Sequence, residues 1–210
     1  MFGSAPGVIR TTVGFTGGTK VDPSYHSLGN HTETVSIDYD PQSTSYEDLL
    51  SLFWNKHDPS PRNGVCPNVP GNDPTRQYMS VIFYHNDYQK LLANESLKMA
   101  TKGGMRKIAT VIAPAQKFYN AENYHQKYVL RQHPKLISIL ELDDMTCGLI
   151  CTRLNGYLSG YGKAEHFELE WKDLGLSTDA AEYVKDHIKT ARRTWWGQVK
   201  YSTSKRADLG

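Results

Sequence analysis

Residues 33–40, "ETVSIDYD", alternate strictly between two kinds of side chain. Val35, Ile37 and Tyr39 share one face of an extended chain, because side chains on a strand repeat every two residues. Glu33 has the same parity and therefore lies on that apolar face. The segment predicts a half-buried strand with one carboxyl at its start.

A carboxyl on an apolar face loses hydration, which disfavours its charged form, so we expect the pKa of Glu33 to be raised. A carboxylic acid that keeps its proton near neutral pH can act as a general acid. The alternative is a half-solvated glutamate at the mouth of the strand with no chemical role. The residue pattern leaves both readings open.

The rest of the chain continues with strand-like and helix-like periods. Ser45 and Asp48 have the spacing of a capping box and predict a helix that Asp58-Pro59 ends. A second helix is expected to begin at an Asp87 cap and run to Met99, with Leu91, Leu92 and Met99 on its apolar side. The other predicted elements are strands at 8–15, 78–84 and 108–113, and helices from near residue 121, at 164–174 and at 178–193.

Composition excludes several classes of protein. The chain has 210 residues, 39% hydrophobic and 22% charged, with a net charge of +2, so we expect no nucleic-acid partner. It has no apolar run of about eighteen residues and no secretory leader, so we expect no membrane association. Three cysteines are too few for a disulfide framework, which favours the cytoplasm.

Two tyrosines lie next to turns. Tyr25 follows Asp22-Pro23, and Tyr78 follows residues 70–77, "PGNDPTRQ". Each could hold its hydroxyl in a pocket, or be an ordinary core or rim aromatic. Asp73 is either a turn former or an acceptor for a tyrosine hydroxyl or a water.

Motifs for metals and cofactors are missing from the sequence. The eight histidines, His57 and His125 included, have no metal-ligand spacing, and we expect structural roles for them. The glycines at 156–162 do not form a dinucleotide fingerprint. Cys147 and Cys151 would share one face of a helix, either as small buried residues or as a redox pair.

Separated segments, in order, resemble peptide methionine sulfoxide reductase A. They are "VGFTGG" (13–18), "PSYHSLGNHTETVSIDYDP" (23–41), "LLSLFWNKHDP" (49–59), "PGNDPTRQYMS" (70–80) and "FYNAENYHQKY" (118–128). The resemblance covers Phe2 to Tyr128, and "LNGYLSGYGKAEHFE" (154–168) is similar to an extension in animal members. It implies an α+β fold, a two-layer sandwich with a ferredoxin-like core and a mixed sheet. The implied domains are 1–134, the reductase domain, and 135–210, the extension.

The resemblance also implies the activity. The family reduces the S epimer of methionine sulfoxide, free or in oxidised proteins, as a repair reaction under oxidative stress. It binds no cofactor and uses thioredoxin or another dithiol as reductant; we expect a monomer. Carried over onto the matching positions, the general acid is Glu33, and the residues that hold the polar end of the substrate are Tyr25, Tyr78 and Asp73. Cys147 and Cys151 are candidates for recycling.

The family's nucleophilic cysteine lies in a Gly-Cys-Phe-Trp-Gly segment, upstream of the stretch that matches residues 1–8, "MFGSAPGV". The 210 residues contain no such segment, and neither Cys66, Cys147 nor Cys151 matches the nucleophile. We therefore expect the family's first strand to be missing and the chain as written to be unstable and inactive. The alternative is a non-catalytic isoform or fragment that binds methionine sulfoxide.

Overall fold

The computed structural model describes residues 1–60, 77–102, 108–142 and 148–190. The strands are β1 (Val8–Thr16), β2 (Thr32–Tyr39), β3 (Val81–Tyr84), β4 (Val111–Pro114) and β5 (Tyr119–Asn120). The helices are α1 (Tyr46–Lys56), α2 (Asp87–Lys102), α3 (Tyr128–Arg131), α4 (Pro134–Ile139), α5 (Leu149–Leu158) and α6 (Ala164–Glu170), with helix also at 178–190 and 3-10 turns at Phe2–Ser4 and Asn123–His125. The predicted α+β class is confirmed.

The chain divides into two compact units. One is Thr11–Gln126, and the other combines Met1–Arg10 with the chain from Lys127 onward. The predicted boundary between residues 134 and 135 stays a prediction.

β1 is the middle strand of a sheet in the order β2-β1-β5. It runs antiparallel to β5, with Gly14 opposite Asn120 and Phe15 opposite Tyr119. A second sheet joins β3 and β4 in parallel, with Val81 opposite Val111. The strands thus include both parallel and antiparallel pairs, as the resemblance implied.

Helices α1 and α2 cover the β3-β4 sheet with a shared apolar core. That core contains Leu50, Trp54, Ile82 and Ala93. The Trp54 indole also donates a hydrogen bond to Ser96 Oγ at 2.9 Å, which joins the two helices. Burial of these side chains stabilises this part of the unit by removing apolar surface from water.

The capping box of α1 is confirmed. The Asp48 N–H donates to Ser45 Oγ at 3.0 Å, and the Ser45 N–H donates to Asp48 Oδ2 at 3.1 Å. Two of the orphan donors at this helix start are therefore paired, as the spacing predicted.

The cap and the apolar side of α2 differ from the prediction. Asn86, one residue before the predicted Asp87, caps the helix by accepting the Gln89 N–H at 2.8 Å. Of the predicted apolar side, Leu92 packs against the core as expected, whereas Leu91 is 55% and Met99 72% exposed. The buried side of the helix runs through Leu92 and Ala93, because the β3-β4 sheet that it covers lies there.

Other predicted elements shift or disappear. The strands expected from residues 78 and 108 begin only at Val81 and Val111. The helix expected near Ala121 is wrong: a 3-10 turn at Asn123–His125 comes first, and α3 starts at Tyr128. The polar chain around Ala121 instead pairs with β1, since the Ala121 N–H donates to the Val13 carbonyl at 3.0 Å. The helices predicted from residues 164 and 178 are confirmed, the first ending at Glu170.

The second unit has a helical core of its own, from α3 to the helix at 178–190. Its fully buried side chains include Leu130, Leu154, Tyr157, Phe167 and Val184. Helices α4 and α5 were not predicted from the sequence. No helix among the described residues has the length and apolarity needed to cross a bilayer.

Arg153 connects this core to the first residues of the chain. It is 3% exposed and pairs with Glu170 at 2.8 Å. It also donates to the carbonyls of Gly3, at 3.1 Å, and Ala5. Gly156 of the same helix lies so close to Ser4 that an added Cβ would sit 2.3 Å from its backbone nitrogen. The buried guanidinium therefore pairs the Gly3 carbonyl and adds a second donor to the Ala5 carbonyl, which also accepts the Val8 N–H at 3.3 Å.

Arg153→Ala tests this connection. Removing one partner of a buried ion pair leaves the other charge and the Gly3 carbonyl without the guanidinium donors, so we expect a loss of about 3 kcal/mol in the free energy of unfolding. Urea denaturation measures it, with Lys163→Ala at an exposed position of the same unit as the control. Equal midpoints for the two variants would contradict the role given to Arg153.

Candidate functional site

A cavity of about 320 Å³ opens beside the β2-β1-β5 sheet. β1 contributes Val13, Gly14 and Phe15, and β2 contributes Glu33 and Thr34. The chain between these strands contributes Tyr25, and the chain after β5 contributes Ala121 and His125. One wall is therefore apolar, while the other carries an acid, a phenol and an imidazole.

The apolar wall depends on a close approach of β5 to β1. A Cβ added to Gly14 would sit 2.2 Å from the Tyr119 carbonyl oxygen and 2.6 Å from the Phe118 ring. Phe15 is 2% exposed and packs with Leu28 and Ala121. Only glycine leaves room at residue 14, which explains the motif "VGF" at this point.

Gln126 fixes the strand that carries this wall. Its side-chain oxygen accepts the Val13 N–H at 3.0 Å, and its amide nitrogen donates to the Val13 carbonyl at 2.8 Å and the Ala121 carbonyl at 3.1 Å. The side chain is buried, so water does not compete for these hydrogen bonds. It holds the chain that carries His125 next to β1.

The loop that presents Tyr25 is held by a buried histidine. His31 is 1% exposed; its Nδ1 accepts the Gly18 N–H at 3.2 Å and its Nε2 donates to the Lys20 carbonyl at 2.8 Å. Ser24 and Ser27 exchange backbone hydrogen bonds of 3.3 and 2.9 Å around Tyr25. The expected structural role of histidine applies to His31.

Glu33 is more exposed than the alternating pattern predicted. The residue is exposed, and its apolar neighbours on β2 are only half-buried, so the expected shielding from water is wrong. It nevertheless lines the cavity, and partial burial raises the pKa of its carboxyl, as expected. A positive charge on His125 acts in the opposite direction and lowers that pKa.

The other predicted site residues are only partly brought together. Tyr25 lines the cavity with Glu33 and is 41% exposed. Tyr78 is 60% exposed and is not among the lining residues. Asp73 lies outside the described residues. The roles of these residues therefore stay predictions.

The cysteines do not line the cavity where the structure describes them. Cys151 lies on α5, is fully buried and is disulfide-bonded. Cys66 and Cys147 lie outside the described residues. Three cysteines predicted that the chain has no framework of several disulfides. One disulfide bond at Cys151 is compatible with the alternative of a redox pair. Within the described ranges no cluster of three or more His, Cys, Asp or Glu side chains could hold a metal ion.

Two residues of the site were not found from the sequence. His125 lines the cavity, and Glu122 accepts the Tyr25 N–H on its Oε1 at 3.0 Å. The available signal was the run "AENYHQKY", in which acid, imidazole and phenols cluster directly after a strand. Tyr25 and Glu122 are 97 positions apart in the chain. Because only the fold brings them together, the sequence could not pair them.

Family models match most of the chain. Residues 1–145 match the family described as peptide methionine sulfoxide reductase, and residues 143–189 match the helical domain of selenoprotein methionine sulfoxide reductase A. The second match fits the predicted C-terminal extension.

Curated relatives agree. The chain is 40% identical over 192 residues to a peptide methionine sulfoxide reductase of Drosophila melanogaster, covering 90% of this chain and 74% of that protein. It is 45% identical over 128 residues to peptide methionine sulfoxide reductase A1 of Arabidopsis thaliana, covering 59% and 61%. Among solved structures, methionine sulfoxide reductase A of Corynebacterium diphtheriae is 30% identical with a TM-score of 0.48, covering 62% of this chain and 66% of that one. The resemblance stated from the motifs is confirmed, and the chain belongs to the peptide methionine sulfoxide reductase family.

Proposed function

We propose that the cavity binds the S epimer of methionine sulfoxide, in oxidised proteins or free, and belongs to a peptide-methionine (S)-S-oxide reductase. The observation that carries the proposal is a carboxyl of raised pKa, Glu33, beside the Tyr25 phenol in a cavity with an apolar wall. A sulfoxide has a polar oxygen and an apolar methyl group on the same sulfur. Such a ligand needs a proton donor on one side and an apolar surface on the other.

In this proposal Glu33 is the general acid. A cysteine thiolate attacks the sulfoxide sulfur while Glu33 gives its proton to the oxygen, which forms an adduct with a sulfur–sulfur bond and a hydroxyl group. The hydroxyl then passes to the cysteine sulfur as the S–O and sulfur–sulfur bonds break, so that the thioether leaves with its electron pair and the cysteine becomes a sulfenic acid. Tyr25, Tyr78 and Asp73 hold the polar end of the substrate, as the resemblance implies.

Recycling then requires further thiols. A second thiol condenses with the sulfenic acid to a disulfide and releases water, and a dithiol such as thioredoxin reduces that disulfide by exchange. We propose Cys147 and Cys151 for this step, and the disulfide bond at Cys151 supports its ability to pair. A monomer in the reducing cytoplasm suits this thiol chemistry.

For the 210 residues themselves we propose binding without turnover. The 210 residues contain no Gly-Cys-Phe-Trp-Gly segment, and the described cysteine, Cys151, is buried and is not among the residues that line the cavity. Turnover needs a thiolate next to Glu33.

Binding of separated epimers tests the site. We expect the blocked S epimer of methionine sulfoxide to bind more tightly than the R epimer or the thioether, in an NMR titration of the whole chain. Glu33→Gln keeps this binding, because its amide N–H donates where the protonated carboxyl would. Glu33→Ala weakens it roughly tenfold, the value of one lost hydrogen bond to a polar ligand.

The matched control is Glu95→Ala, at an exposed position of α2. Equal affinity for both epimers, or an unchanged affinity in Glu33→Ala, would refute the proposed site. Formation of thioether from the sulfoxide and dithiothreitol would refute the absence of turnover. Single Cys→Ser changes at residues 66, 147 and 151 would then find the nucleophile.

The raised pKa of Glu33 predicts a dependence of stability on pH. Because the folded state holds this proton more tightly, Glu33 contributes stability that is fully present below the unfolded-state pKa, about 4.3. That contribution is lost as the pH rises through the folded-state pKa. Gln cannot ionise, so the free energy of unfolding of Glu33→Gln should increase relative to the native chain between about pH 4 and pH 7.

Asp40→Asn is the matched control with the opposite sign. Hydrogen bonds from Ser43 and Gln42 lower the pKa of Asp40, so the native carboxylate gains stability as the pH rises. Urea denaturation across the same pH range measures both differences. A flat difference for Glu33→Gln would mean that burial does not perturb Glu33.

A further inference from the structure

Glu122 and His125 both contact Tyr25, and His125 lines the same cavity as Glu33, but the proposed function so far gives them no part. We propose that they are positioning residues of this site. Glu122 fixes the backbone of Tyr25, while His125 supports the Tyr25 ring and supplies the charge that Glu33 meets across the cavity. The inference rests on the proposed function, since Tyr25 and Glu33 are the groups being positioned.

Glu122 holds Tyr25 through a bond that only the fold creates. Its Oε1 accepts the Tyr25 N–H at 3.0 Å. The hydrogen bond of its own backbone N–H is the largest cause that lowers the pKa of Glu122, and the Tyr25 N–H adds to it. The group is therefore a carboxylate at neutral pH, and an ionised acceptor makes the stronger kind of hydrogen bond.

His125 holds the ring of the same residue. The centroids of the His125 and Tyr25 rings are 4.7 Å apart, and the two ring planes form an angle of 46°. The Tyr124 ring packs on the same imidazole, with its centroid 4.1 Å from that of His125. His26 contacts the Tyr25 ring from a further direction, at 5.3 Å. Without the imidazole, the Tyr25 phenol loses one of the two rings that fix its orientation toward the cavity.

The same imidazole lies next to the Glu122 carboxylate. His125 Nε2 lies 3.9 Å from Glu122 Oε2. Both atoms are buried, and neither has a hydrogen-bond partner among the described residues. A buried polar atom without such a partner is costly, and a protonated imidazole next to a carboxylate reduces that cost.

A positive charge on His125 lowers the pKa of Glu33. The titratable groups around His125 are Glu122, Glu33, Tyr25 and Tyr124, with His26 near the Glu122 carboxylate. A positive His125 stabilises the Glu33 carboxylate and opposes its role as a proton donor.

Two variants of Glu122 separate its charge from its hydrogen bond. Gln can still accept the Tyr25 N–H, whereas Ala cannot. We expect Glu122→Ala to weaken binding of the S epimer of blocked methionine sulfoxide about tenfold, and Glu122→Gln to stay within about threefold of the native chain. Glu95→Gln, on the exposed side of α2, is the control.

His125→Gln tests the coupling directly. The pH midpoint of Glu33, read from the side-chain carboxyl signal of ¹³C-glutamate-labelled protein, should rise because the opposing positive charge is gone. His85→Gln, at an exposed residue after β3, should leave that midpoint unchanged. A role of His125 in folding alone would not move this midpoint.

The outcomes separate the two proposals. An unchanged Glu33 midpoint in His125→Gln, or equal affinity in Glu122→Ala and the native chain, overturns the positioning roles. If the native chain fails to prefer the S epimer, the proposed function fails, yet the carboxyl titration still decides whether His125 acts on Glu33. Should Glu122→Ala not fold, Glu122→Gln and His125→Gln carry the same test, because a fall of more than tenfold in Glu122→Gln would contradict an acceptor role that Gln retains.

Discussion

The backbone of Val13 is where distant parts of the site meet. Its carbonyl accepts the Ala121 N–H at 3.0 Å and the Gln126 amide at 2.8 Å, and its N–H donates to Gln126 at 3.0 Å. Because backbone groups in a protein interior must be paired, these bonds are strongly favoured once β1 is covered. They bring the chain after β5, with Glu122 and His125, next to β1, where His125 lines the same cavity as Glu33.

The site therefore combines an apolar wall fixed by close backbone packing with a polar wall of titratable side chains. Strands β1 and β5 fix the apolar wall through the close approach at Gly14. The polar wall carries Glu33, Tyr25 and His125, and a positive charge on His125 lowers the pKa of Glu33 while burial raises it. A general acid needs a pKa near the working pH, and burial together with neighbouring charge is how a fold adjusts it.

The helical unit depends on a buried arginine. Arg153 donates hydrogen bonds to backbone carbonyls of the first residues and forms an ion pair with Glu170. A buried guanidinium is favourable only when its donors are paired, and here the backbone and a carboxylate provide the acceptors. Residues 143–189 of this unit match the helical domain of selenoprotein methionine sulfoxide reductase A.

Local signals in the sequence determined a large part of this description. The capping box at Ser45 and the strand at 33–40 follow from spacing and alternation, which act between neighbours. The family followed from ordered motifs, and the α+β class from the resemblance to that family. The raised pKa of Glu33 was predicted from strand parity, but not its exposure, because parity says which face a residue has and not what covers that face.

Only the tertiary structure decided the partners. Asn86 in place of Asp87 as a cap, and the exposed Met99, depend on where α2 meets its sheet. The pairing of Glu122 with Tyr25, the packing of His125 on that phenol and the bonds of Arg153 join residues far apart in the chain. Such contacts carry no periodic signature in one sequence, since their geometry exists only after the strands have paired.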